Sequence, residues 1–88
     1  MEIIRSASAG TMESSDAYVE IEPAQGLDVQ LESVVQAQFG EQIHSVVREV
    51  LQENGVANAS VRVIDRGALE CVIRARVETA ILRGREET

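Results

Sequence analysis

Residues 17–32 read Ala17-Tyr18-Val19-Glu20-Ile21-Glu22-Pro23-Ala24-Gln25-Gly26-Leu27-Asp28-Val29-Gln30-Leu31-Glu32. Apolar side chains take every second position on both sides of the Pro23–Gly26 link: Ala17, Val19 and Ile21 before it, Leu27, Val29 and Leu31 after it. A period of two with polar residues between marks a half-buried strand, because successive side chains point to opposite faces. The link carries turn chemistry and is too short for a parallel crossover, so the stretch predicts an antiparallel hairpin.

Working outward, Ser33 is expected to begin a helix with Gln36 as its capping-box partner. Val35, Phe39, Ile43, Val46, Val47 and Val50 fall in one arc of that helix and form its core stripe, and Asn54-Gly55 supplies a left-handed end. Gly40 inside it costs about 1 kcal/mol relative to alanine. Ser60 to Ile64 reads as a third strand. Asp65-Arg66-Gly67 then turns the chain into a second helix over about Ala68 to Leu82, with Leu69, Val72, Ile73, Val77 and Ala80 inward. On its outer face Glu70, Arg74 and Glu78 are spaced for i, i+4 ion pairs. Arg76 and Arg83 project at the edge of the apolar stripe, where their stems snorkel over the core or their heads contact a phosphate or carboxylate.

The order is β-β-α-β-α, with room for another strand near Glu2–Ser6. The compact solution is an α+β two-layer sandwich, a small antiparallel or mixed sheet with two helices on one face. Residues 1–88 form a single domain; doubly wound and barrel folds need roughly twice the length or more. Segment 7–16 is small, polar and rich in hydroxyls, so a flexible loop is expected there, and the tail 84–88 is expected to fray.

Fifteen acids against eight arginines give a net charge of −7. From Ser6 to Val47 there are seven acids and no lysine or arginine. Such a surface repels phosphate backbones and anionic lipid, which argues against nucleic acid and membrane, and it favours a basic protein partner. No apolar run is long enough to span a bilayer, and the N-terminus lacks a secretory pattern, so the cytoplasm is the expected compartment.

The residues support no catalytic constellation. His44, the single histidine, sits on a polar flank of the first helix; Cys71, the single cysteine, reads as a small semi-buried packing residue near the start of the second. One of each makes no zinc cluster, and the glycines match no phosphate-cradling spacing. An enzyme acting alone is not expected, and neither is a metal.

The run Gly10-Thr11-Met12-Glu13-Ser14-Ser15-Asp16 resembles the prosthetic-group attachment motif of the acyl carrier proteins, or gamma subunits, of citrate lyase. The resemblance extends to Gln38–Ile43 and to Asp65–Arg76, and it runs in order from Ile3 to about Arg83. Glu41 and Glu70 stand where aspartate is frequent, and Arg66 where lysine is common. The resemblance implies that Ser14 carries a covalent 2'-(5''-triphosphoribosyl)-3'-dephospho-CoA, installed by a dedicated transferase. It implies a motif of Gly10, Thr11, Glu13, Ser15 and Asp16 around that serine. The thiol would hold acetyl and citryl thioesters while an alpha subunit (acyl transferase) and a beta subunit (citryl lyase) convert citrate to acetate and oxaloacetate. A carrier of citramalate lyase, or an unmodified α+β interaction module, fits the same residues. Strand alternation carried backwards from Ala17 would turn Ser15 inward and Ser14 outward.

Overall fold

A computed structural model of the chain describes residues 2–33 and 36–86, and the side chains of all of these but Gln36, Ala37 and Gln38. Four strands and two helices follow in the order β1 (Ala7–Gly10), β2 (Ala17–Pro23), β3 (Leu27–Ser33), α1 (Gln36–Glu53), β4 (Ala59–Asp65) and α2 (Glu70–Gly84). The strands form one mixed sheet in the order β1-β2-β4-β3. The expected α+β two-layer architecture is the one found.

The expected hairpin is not. β2 and β3 both pair with β4, which lies between them, antiparallel to β2 and parallel to β3. Ala59 at the start of β4 is level with Pro23 on one side and Leu27 on the other. Strands two places apart are separated by about 10 Å, a distance that three residues can bridge but a tight hairpin turn cannot. Ala24-Gln25-Gly26 therefore arches over the end of β4, held where Gly26 N–H donates to Asn58 Oδ1 and Ala59 N–H to Gly26 O, each 2.9 Å. The parallel β3–β4 pair is joined through α1, the long crossover such a pair requires.

Inward positions of every strand meet the helices. Val19, Val61, Val63, Val47, Val50, Leu51, Val77 and Ile81 are fully buried there. α1 ends as anticipated. Gly55 has φ +69°, its N–H donates to Gln52 O, and Val56 N–H donates to Leu51 O, the paired bonds of a Schellman end. Its beginning differs from expectation: Ser33 closes β3, and its hydroxyl donates to Asp65 Oδ2 (2.8 Å). The cap proposed through the Gln36 side chain and the core position proposed for Val35 lie outside the described residues.

Both helical stripes are shorter than the wheel suggests. Phe39 is 47% exposed and Leu69, the residue just before α2, is 72% exposed, whereas Leu51 and Ile81 are buried instead. The two exposed residues lie at the N-terminal ends of the helices, Phe39 in the first turn of α1 and Leu69 just before α2. Arg74 does not ladder along its own helix. It bridges to Glu49 (3.0 Å) and Glu53 (2.8 Å) of α1 and so clamps the two helices.

The terminal segments are also more ordered than composition implies. Residues 2–6 add no strand; Ile3 is buried, and the N–H groups of Ile4 and Arg5 both donate to Gly84 O. Gly84 and Arg85 are thus tied down rather than frayed, with Arg85 donating to Asn54 O. Glu87 and Thr88 lie outside the described residues. Among the described residues, the other face of the sheet carries no helix and presents Glu20, Glu22, Asp28 and Glu32 with a single cation, Arg62, which bridges to Glu20 at 3.1 Å. Among the described residues, no helix is long and apolar enough to cross a membrane.

Candidate functional site

The segment expected to be a loop over 7–16 is a strand for its first four residues. β1 pairs with β2 from Ala7↔Ile21 to Gly10↔Tyr18, so only Thr11–Asp16 leaves the sheet. Hydrogen bonds hold this six-residue connection at Thr11, Glu13, Ser15 and Asp16. Gly10, at φ +91°, lies so close to Ala17 O that a β-carbon has no room, and Arg76 Cδ closes the remaining side. The Thr11 hydroxyl donates to Asp16 Oδ2 (2.7 Å) and accepts from Glu13 N–H (3.2 Å). Asp16 N–H donates to Glu13 O at 3.2 Å, which closes a four-residue turn with Ser14 and Ser15 at its centre.

Ser15 occupies the left-handed region at φ +66°, the third position of that turn. Its N–H donates to Arg66 O (2.8 Å), and Arg66 N–H donates to Asp16 O (2.9 Å), so the loop zips onto the turn between β4 and α2. That turn is anchored in its own right. Asp65, 1% exposed, accepts from the Ser33 hydroxyl, from Gly67 N–H (3.1 Å) and from Ala68 N–H (2.8 Å).

Asp16 is the hub. Its carboxylate accepts from Arg76 Nε (2.9 Å) and Nη2 (3.2 Å), from Thr11 and from Ala17 N–H (2.7 Å). The Arg76 guanidinium first, then the Thr11 hydroxyl and the Ala17 amide, hold this carboxyl far below the ordinary carboxylate range. A depressed folded pKa stabilises the fold above the unfolded value of 3.8, and the contribution is lost as pH falls further toward the folded one. Asp16→Asn should accordingly be less stable than the parent at pH 7, and the gap should narrow as denaturation is repeated from about pH 4 downward. A gap independent of pH would mean that the charge of Asp16 contributes nothing.

Ser14 stands apart. It is exposed, and among the described residues its hydroxyl has no hydrogen-bond partner. Both serines are exposed, so the inward Ser15 expected from strand alternation is not found; the alternation stops at Ala17, where β2 begins. What separates the two is the backbone: Ser15 is pinned to Arg66, and Ser14 forms the free corner. Glu13 contributes its main chain, and its side chain faces solvent.

Of the arginines considered for phosphate contacts, Arg76 is occupied by Asp16, and Arg83 donates to Ser8 O (2.9 Å) and secures β1. Sequence reading passed over Arg66, whose main chain brackets the loop and whose exposed guanidinium has no partner among the described residues. Cys71 is exposed rather than semi-buried, and neither it nor His44 bonds to another side chain among the described residues. No three acids, histidines or cysteines gather as metal ligands among those residues either.

The malonate decarboxylase delta subunit (MdcD) family of acyl carriers matches residues 4–84. Over its full length the chain is 51% identical to the citrate lyase acyl carrier protein of Haemophilus influenzae (strain PittEE), of which it covers 93%. It is 52% identical over 90 aligned residues to that of Escherichia fergusonii, again covering 93%. The chain belongs to the citrate lyase acyl carrier protein family. A chain of the Pseudomonas malonate decarboxylase hetero-tetramer, solved with malonate, shares the fold of this family member with a TM-score of 0.79 at 22% identity, over 90% of this chain and 82% of that one. As an acyl carrier protein by family, the chain is a carrier subunit rather than a catalyst.

Proposed function

We propose that this chain is the carrier subunit of citrate lyase and that Ser14 bears, through a phosphodiester, the 2'-(5''-triphosphoribosyl)-3'-dephospho-CoA group. The observation that carries the reading is an exposed serine hydroxyl, without a hydrogen-bond partner among the described residues, at the corner of a turn whose residues Thr11, Glu13, Ser15 and Asp16 are hydrogen-bonded in place. An attachment point needs this combination. The hydroxyl must reach a transferase, while the loop beneath keeps its shape once a bulky anion is added. Ser14 fits the group because none of the described residues competes for its oxygen, and Arg66 offers a neighbouring cation to the phosphate. When attached, the group supplies a thiol on a long arm. The protein holds that arm close to partner active sites and so raises its effective concentration there.

Catalysis then belongs to the alpha and beta subunits. This chain, in the cytoplasmic compartment the reading implies, supplies only the tether. The reading is tested by adding the modified protein to a citrate lyase complex stripped of its own carrier. Restored release of oxaloacetate from citrate supports it; activity with citramalate alone would move the chain to citramalate lyase, and none with either would defeat it.

Docking should involve the uncovered acidic sheet face. Glu20, Glu22 and Asp28 project from it, and among the described residues only Arg62 offsets them. Reversing all three to lysine should weaken assembly at least about tenfold, and raising salt from about 0.05 to about 0.5 M should weaken the parent complex as well. Assembly that ignores both changes would place the interface elsewhere. Cys71 and His44 should be dispensable: the Cys71→Ser, His44→Gln double variant is expected to fold and to support full activity in the assembled complex, and inactivity despite normal folding and modification would show that one of them takes part.

A further inference from the structure

Next to the serine loop lies a cleft of about 190 Å³ between the opening turns of α1 and α2. Ile43, Val46 and Ile73, all buried, form its floor, and Ala68 forms part of its wall. Phe39 stands at its mouth, 47% exposed, with Glu70. An apolar hollow with a large aromatic left in water at its lip is a costly arrangement unless something covers it.

The cleft and the attachment point share a wall. Ser15 N–H donates to Arg66 O, and Ala68, two residues further on, lines the hollow. Along that route Ser14 is no more than roughly 15 Å from the cleft wall, at 3.8 Å per residue step plus one hydrogen bond. We propose that this cleft receives the uncharged amide-and-thiol end of the prosthetic arm on Ser14, sheltering the thiol between visits to partner subunits. The inference rests on the carrier reading above and adds a binding site to it.

Size and charge select which part of the arm enters. An apolar cavity of this order holds a group about the size of benzene, not a nucleotide. Glu70 at the mouth and the buried Asp65, which also lines the cleft, repel phosphates, which stay outside near Arg66. The thiol terminus is the portion that is both small and uncharged. A covalent tether supplies the high local concentration that so small a contact needs.

The test compares apo and modified protein, both full-length and in a Cys71→Ser background so that the only thiol is that of the arm. Methyl resonances of Ile43, Val46 and Ile73 should shift on modification. An aromatic disulfide reagent should react with the arm at least about threefold more slowly than with free coenzyme A, since its rate follows the undocked fraction. Phe39→Ala, which opens the lip without touching the buried floor, should bring that rate toward the free value, and Ala68→Met, which fills the hollow, should do the same. Shifts confined to residues 11–16 together with a thiol as reactive as free coenzyme A would overturn the proposal while leaving the carrier reading intact. Cleft shifts that appear only when partner subunits are added would assign the hollow to a partner instead. Failure of Ser14 to gain the group at all, beside a transferase that modifies a known citrate lyase carrier, would remove both.

Discussion

Ser14→Ala is expected to abolish prosthetic-group attachment and acyl carriage without loosening the fold. The side chain is exposed and has no hydrogen-bond partner among the described residues, so its removal leaves nothing unsatisfied and stability should change by no more than about 0.5 kcal/mol. Ser15→Ala should still be modified. Its hydroxyl is equally exposed, but its role in the loop is the N–H bond to Arg66 O, which alanine keeps. Exposure therefore does not choose between the serines, and an unactivated hydroxyl is too weak a nucleophile to choose itself. The choice falls to the turn, which presents Ser14 as its free corner to whatever base the transferase provides. Intact mass and thermal unfolding of both variants check this. A modified Ser14→Ala protein would contradict it.

Gly10→Ala should be the most damaging of the alanine substitutions at Gly10, Gly26, Gly67 and Gly84. The new β-carbon collides with the main-chain oxygen of Ala17, between the last residue of β1 and the first of β2, and neither strand can move without breaking the sheet. The left-handed φ of +91° adds its own penalty. Together these should cost about 3 kcal/mol, which for a domain of this size lowers the melting temperature by more than about 10 °C. Gly26→Ala makes the control. It shares a positive φ but has open space around it, so only the conformational penalty applies and the loss should be clearly smaller. Equal losses at the two positions would show that the close approach at Gly10 is not what holds the loop.

The elements were legible because local patterns decide them. Alternation located β2, β3 and β4, and the apolar arcs found both helices. Pairing was not legible. Ala17–Ile21 and Leu27–Leu31 show the same alternation whether they neighbour one another or flank a third strand, and nothing within either stretch announces that β4 lies between them. A helix wheel likewise reports angle but not how far along the axis the cover extends, and Phe39 and Leu69, inward by angle, are half exposed and mostly exposed. β1 escaped notice because Ala7-Ser8-Ala9-Gly10 is too short and small to show a period.

At the site, the motif itself was visible and its construction was not. Asp16 and Arg76 are 60 residues apart, and only the packing of α2 beside β1 and β2 brings them to 2.9 Å. The bond from Ser15 to Arg66 spans a similar gap. Each of Gly10, Thr11, Ser15 and Asp16 has a mechanical task in that framework, and of the loop's hydroxyl-bearing residues Ser14 has none.

The most direct test of that assignment is the intact mass of the chain produced together with the citrate lyase modifying enzymes, followed by fragmentation to locate the added group. The account predicts a single addition with the mass of one phosphodiester-linked triphosphoribosyl-dephospho-coenzyme A residue, placed on Ser14. An unchanged mass beside modifying enzymes shown to be active, or an addition on Ser15 or any other residue, would contradict it.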